Sequence, residues 1–287
     1  MLRTFSSATL LAATMLAAPV AAHAADAIVQ PIAVAPASPW TGFYVGGSIG
    51  GTFLADESDT ILFDTDLDGG FGDTIFTDGG GNAFAPGFCS GVARGNEPVD
   101  GCDDDDDSSV TASLRAGYDV QFGGLIVGVV GEVSALNLED VTTAFSGTPA
   151  FYSIVRELDF MAAARARVGF GTDRFLGYVT GGAAFADIDY SFRTSNNPNV
   201  FTIDEDVDSI GYQIGGGVET LLSERLSVGL EYLFTSFGDD STVRSGPGPN
   251  TPADNPFILV NANGTDFTLE NDDFQTHTVS LTASFRF

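Results

Sequence analysis

Lysine is missing from this 287-residue chain: all eleven of its cations are arginine, set against 39 acidic residues for a formal charge of −28. With so few cations nothing would neutralise phosphates, so nucleic-acid binding is excluded. The glycine clusters Gly46–Gly51 and Gly215–Gly217 lack both the spacing and the lysine of a phosphate loop. Histidine is scarce too, because beyond the first residues only His277 is left. A hydrolase or acyl transferase would need that imidazole beside a serine and a carboxylate. His277 instead shares an alternating face with Val279, Leu281 and Phe285, so the chain is expected not to be an enzyme. No stretch keeps a 3.6-residue period, which makes helices minor. No long apolar run follows the amino terminus, which excludes spanning helices there. Cysteine occurs twice, at Cys89 and Cys102. Two cysteines in one exported stretch predict a disulfide, worth about 3 kcal/mol by the chain-entropy estimate.

Export is written into the first residues. Arg3 precedes an apolar run from Ala8 to Val20, and Ala22-His23-Ala24 offers the small-residue pattern of a signal-peptidase site. Residues 1–24 are therefore read as a signal peptide. Residues 25–40, with Pro31, Pro36 and Pro39, read as an extended linker. The remainder, 41–287, is long enough for one large all-β domain.

Period-two alternation marks that domain. Eight segments alternate: 42–54, 110–122, 125–136, 157–170, 175–188, 208–221, 226–237 and 273–287. Each is near the 9–11 residues that a tilted membrane strand needs. In 157–170, Leu158, Phe160, Ala162, Ala164, Ala166, Val168 and Phe170 form one face, with Asp159, Arg165, Arg167 and Gly169 on the other. The connections alternate strictly between tight turns (123–124, near 172–173 and 222–225) and long ones (55–108, 137–156, 189–207 and 238–272). The pattern predicts an all-β, eight-stranded antiparallel up-and-down transmembrane β-barrel with long extracellular loops. Trp40, Phe43, Tyr118, Phe122, Phe170, Phe175, Phe285 and Phe287 fall at the short-turn end, where they would form an aromatic girdle. A soluble lipocalin-type barrel shares the strand count and inverts the faces. The terminal aromatic, the girdle and the loop asymmetry favour lipid.

The stretches "WTGFYVGGSIG" (Trp40–Gly50), "GYVTGGAAF" (Gly177–Phe185) and "GLEYLFTSFG" (Gly229–Gly238), with the terminal Phe287, resemble the small porin-like outer-membrane β-barrels of alphaproteobacteria. That family includes opacity-type and haem-binding surface antigens. The resemblance covers the strands and not the long loops. It implies a bacterial outer-membrane location, and it implies that the assembly machinery of that membrane reads Phe287.

Within the barrel, the tight Gly123-Gly124 turn sets Arg115 opposite Glu132 across two strands. By parity Arg165, Arg167, Glu219, Glu231 and Arg286 also point inward. An eight-stranded barrel is only just wide enough for its own side chains, so these charges should pair and plug the lumen. Outside it, residues 55–108 carry fifteen acids against Arg94 alone and read as a long, solvated acidic extracellular loop. "DTDLDGG" puts Asp64, Asp66 and Asp68 in the spacing that opens an EF-hand, but Ile75 stands where the bidentate Glu belongs. A loosely bound calcium or magnesium ion at these acids, with Asp73, Asp78 or Asp103–Asp107, is the looser expectation. No other cofactor is expected. The expected partners are outer-membrane lipid and lipopolysaccharide, and the barrel is expected to be monomeric. The expected function is that of a structural surface barrel, the alternatives being a passive porin for small solutes or a surface receptor or adhesin for haem, a cation or a host ligand.

Overall fold

The computed structural model describes residues 38–55, 60–103, 108–271 and 273–287. The signal segment 1–24, residues 25–37 of the linker, and Asp104–Asp107 lie outside the described residues. The long strands are β1 (Gly42–Leu54), β2 (Ser108–Phe122), β3 (Leu125–Ser146), β4 (Ala150–Gly171), β5 (Phe175–Thr194), β6 (Ile210–Leu221), β7 (Leu226–Phe237) and β8 (Phe274–Arg286). All their ladders are antiparallel. Each strand pairs with its sequence neighbours, and β8 returns to pair with β1. The β2–β3 turn sits where the two glycines demand it: Phe122 pairs with Leu125, and Gly123 takes a φ of 63°, a region that side chains with a Cβ rarely adopt.

Alternation decides the faces. On β1, Phe43, Val45, Ile49 and Phe53 are exposed while Tyr44 and Thr52 are buried. Leu114, Val129, Val168, Val179, Ile214, Leu230 and Leu281 carry the same exposed apolar character around the other strands. From Phe43 to Phe53 this band is about 25 Å tall, allowing about 3.3 Å per residue and a strand tilt near 40°. The enclosed face holds the polar residues. Thr52 bonds Thr111 (2.6 Å) and Thr278 (2.8 Å) across the inner surface. A water-soluble barrel would show the reverse arrangement.

Three expectations change. First, β3, β4 and β5 run well beyond the sequence segments, so most of 137–156 is a continued hairpin, with its tip at 147–149, and not a loop. Second, a register shift between Leu158 and Met161 breaks the strict alternation of β4: Leu158 turns inward and is buried, while Asp159 is exposed. A β-bulge adds one residue to one strand and so exchanges faces beyond it, which a period-two reading cannot see. Third, Trp40 belongs neither to a loose linker nor to the girdle. It is fully buried, with its indole N–H donating to the carbonyl of Thr172 (2.8 Å), and it packs on Ile126, Leu176, Tyr178 and Leu221. The other girdle residues (Phe43, Tyr118, Phe122, Phe170, Phe175, Phe285 and Phe287) are exposed.

The long connections build a second structure above the ring. The extended ends of β3, β4 and β5 make one sheet, with Gly87–Ser90 added to the edge of β3. Ile61–Asp64, Thr265–Leu269, Thr242–Pro247 and Asn199–Asp204 form another, in that order. Phe63, Phe84, Tyr152, Phe257 and Phe267 interlock at ring centroid distances of 4.6–6.5 Å, together with Ile61, Ile75, Ile154, Val243 and Leu269. The stretch expected as a solvated acidic loop thus contributes Ile61, Phe63, Ile75, Ala83 and Phe84 to a hydrophobic core. Its apolar residues are irregularly spaced because their partners lie in three other connections. Cys89 and Cys102 are joined in a disulfide that ties the Gly87–Ser90 strand to the small Val92–Ala93/Cys102–Asp103 hairpin.

Candidate functional site: a charged lumen beneath a folded cap

The enclosed face of the ring carries its charges in layers. Nearest the short-turn end, Arg167 is held between Asp119, through its Nε at 2.8 Å, and Glu219, through Nη1 at 2.7 Å. Arg286 reaches the same two carboxylates at 2.9 and 3.8 Å and donates to the carbonyl of Trp40 at 2.7 Å. Both guanidiniums lie 4.8–5.1 Å from the centroids of Trp40, Tyr44 or Tyr178 rings, in cation–π range. One layer further in, Glu231 accepts from Arg115 at 3.0 and 3.1 Å, from Arg165 at 3.3 Å and from the Tyr178 hydroxyl at 2.6 Å. Glu132 stands 3.5 Å from both Arg115 and Arg165, and Arg165 also bonds Gln213. The seven lumen residues read from the sequence are therefore all inside and all buried.

Arg115 and Glu132 are cross-strand partners as the turn requires, yet the tighter partner of Arg115 is Glu231, on β7 across the lumen. Sequence reasoning missed Asp119, although it shares the parity of Arg115 on β2 and, among the described residues, brings these two layers to four carboxylates against four guanidiniums. It also missed the buried trio of Arg156 with Asp140 (3.0 Å from Nε) and Asp239 (3.2 Å), because those residues fell within assumed loops. Between this trio and the Glu231 layer lies an apolar layer of Leu136, Leu138, Leu158, Met161, Phe237 and Phe274. Inward glycines make room for the large groups. A Cβ on Gly117 would run into the Tyr44 ring, and one on Gly128 into the Asp119 carboxylate.

In the cap, Asp64 and Asp66 come together with Asp73, not with Asp68; one carboxylate oxygen from each lies within 4.8 Å of the others. Asp64 accepts from the amides of Leu67 (2.7 Å) and Gly69 (2.8 Å), and Asp68 from that of Gly70 (2.8 Å), so the "DTDLDGG" acids shape their own turn. Hydrogen bonds from the Thr65 hydroxyl and amide hold the Asp73 carboxyl below the usual aspartate range. Burial and then neighbouring acids raise that of Asp66. His277 is placed outward near the cap end, its Nδ1 2.8 Å from the Tyr232 hydroxyl and its ring against Phe234, within an outer aromatic patch.

A ring of strands with apolar residues outside and ion pairs inside is the pattern of a membrane barrel. The family model described as outer membrane protein beta-barrel domain matches residues 8–287. The chain belongs to this family. The barrel is an outer-membrane protein, and its apolar band is turned outward. The 22 kDa outer membrane protein of Rhizobium leguminosarum bv. viciae is 26% identical over 210 residues, which span 72% of this chain and 69% of that protein. The 31 kDa outer-membrane immunogenic protein of Brucella melitensis biotype 1 is 25% identical over 230 residues, which span 77% and 83%. Among solved structures, the outer membrane protein OprG from Pseudomonas aeruginosa aligns over 86% of this chain and 97% of that one, with 14% identity and a TM-score of 0.44.

Proposed function

We propose that the protein is a structural, non-enzymatic surface barrel: an eight-stranded up-and-down transmembrane β-barrel whose lumen is filled by its own side chains and whose long connections form an extracellular cap. The observation that carries this reading is the layered lumen, in which Glu231 alone engages Arg115, Arg165 and Tyr178. Buried charges are costly unless they are paired, and pairing across the barrel draws opposite walls together through the middle. The signal-free protein, refolded and inserted into planar bilayers, is expected to show no steady opening of porin size. Stable openings of that size would replace this reading with the passive porin.

The lateral neighbours of this barrel are membrane lipid and lipopolysaccharide, and the assembly machinery reads its final strand. A calcium or magnesium ion held loosely by Asp64, Asp66 and Asp73 belongs to the same reading, because crowded carboxylates repel one another and a divalent cation relieves the repulsion. Millimolar calcium should slow proteolysis within residues 55–108. Digestion that is identical with calcium and with chelator would remove the ion from the account.

A further inference from the structure

All four long connections meet at one pocket of about 440 Å³ at the far end of the cap. The first supplies Asp78 and Phe84, the β3–β4 hairpin tip Thr148 and Pro149, the third Ser195 and Asn196, and the fourth Asn255 and Phe257. The walls are largely apolar, made by Pro149, Pro198, Pro252 and Pro256 with Phe84, Tyr152 and Phe257. The polar groups among them are fixed by one another. The Asn196 side-chain amide donates to the Tyr152 hydroxyl (2.8 Å), and its carbonyl accepts from the amide of Asn199 (3.2 Å). Asn255 donates to the Asn199 side chain (2.9 Å), and Ser195 Oγ accepts from the Phe151 amide (3.2 Å). Such a site is preorganised, so little ordering would oppose binding.

The chemistry of the lining selects the ligand. Among the described residues no Lys, Arg or His lines the pocket, and the arginines of the cap are already engaged: Arg94 with Asp103, Arg156 with Asp140 and Asp239, Arg193 with Glu157, and Arg244 with Asp266. A phosphate, sulfate or carboxylate would find no partner there. A cationic amine would need desolvated carboxylates or open aromatic faces. The two acids, Asp78 and Asp254, are exposed at the rim, and the three rings pack against one another at centroid distances of 5.2–6.0 Å. Hydroxyls and amides beside proline and aromatic side chains suit a molecule with neutral hydroxyls and C–H faces. We infer that this pocket binds a neutral saccharide unit. The inference goes beyond the structural reading and is independent of whether the lumen conducts. The sugar could come from the polysaccharide of neighbouring lipopolysaccharide or from a free glycan.

The test uses the full mature protein in detergent micelles on an array of neutral, sialylated, sulfated and amino-sugar glycans. In a second arm it is mixed with lipopolysaccharide from the producing bacterium, before and after mild-acid removal of the polysaccharide. Neutral glycans should be retained and the charged ones not. Loss of lipopolysaccharide binding on removal of the polysaccharide would assign the source to the membrane, and retention of free glycans alone would assign it to the surroundings. Thr148→Trp, at the exposed hairpin tip, should weaken binding at least tenfold, while Asp78→Asn with Asp254→Asn should change it less than twofold. An array on which the wild-type protein retains no neutral glycan would overturn the inference even if Thr148→Trp failed to fold. So would preferential binding of amino sugars that the aspartate variants abolish.

Discussion

At the residue scale the molecule turns on Glu231. Its carboxylate is 1% exposed, and it accepts from two arginines and a tyrosine. Removing one member of a dry pair leaves an uncompensated charge, so Arg115→Ala and Glu231→Ala should each cost about 3–5 kcal/mol. The double variant should lose clearly less than the sum, since both changes remove the same interaction. Urea unfolding in micelles, followed through the emission of the single tryptophan, Trp40, measures each loss. Additive losses would mean that the groups are separately hydrated. Glu132 is a poorer partner for the same cycle, because it stands 3.5 Å from Arg115 where Glu231 stands at 3.0 Å.

At the scale of the element, β8 carries Phe287 to the seam where it meets β1. Its inner residues pair with β7 on one side and β1 on the other, and the Phe287 amide donates to the carbonyl of Phe43 (2.9 Å). The Phe287 ring is 71% exposed and lies 5.3 Å from Phe285 and 5.9 Å from Phe43, on the outer side of the seam. A residue so placed adds little to the core of the barrel. Phe287→Ala, or its deletion, should therefore leave export and refolding in micelles intact while reducing the amount inserted in the outer membrane. Fractionation of cells with quantitative blotting gives the comparison, and normal membrane levels in the variant would remove Phe287 as the assembly signal.

At the scale of the whole molecule, Trp40 and Phe287 lie on the short-turn side and the cap on the other. Epitope tags at Gly80 or Pro249, both exposed in the cap, should be accessible on intact cells, and a tag at Asp173 in a short turn should not. The opposite pattern would turn the barrel upside down. The cap has a core of its own, so partial digestion of cells should release fragments cut at its surface turns and leave the packed strands around Phe63 and Phe267 protected.

Strand positions, the parity of Arg115, Arg165, Arg167, Glu219, Glu231 and Arg286, and the tight turn at Gly123-Gly124 were legible in the chain. Each is a local property, set by period-two geometry or by one residue's backbone freedom. The same parity would have given Asp119. Three things were beyond that reach. The bulge in β4 reverses a face without changing the composition around it. Trp40 is buried because Thr172 and Arg286, more than a hundred residues away, offer it a carbonyl and a cation. The cap hid in the loops because its core is assembled from four connections, whose individual segments are too short and irregular to carry a period. Only when the barrel brings the ends of its strands together do Phe63, Phe84, Tyr152, Phe257 and Phe267 become neighbours, and burial of their rings then outweighs the acidic solvation that the sequence of 55–108 displays.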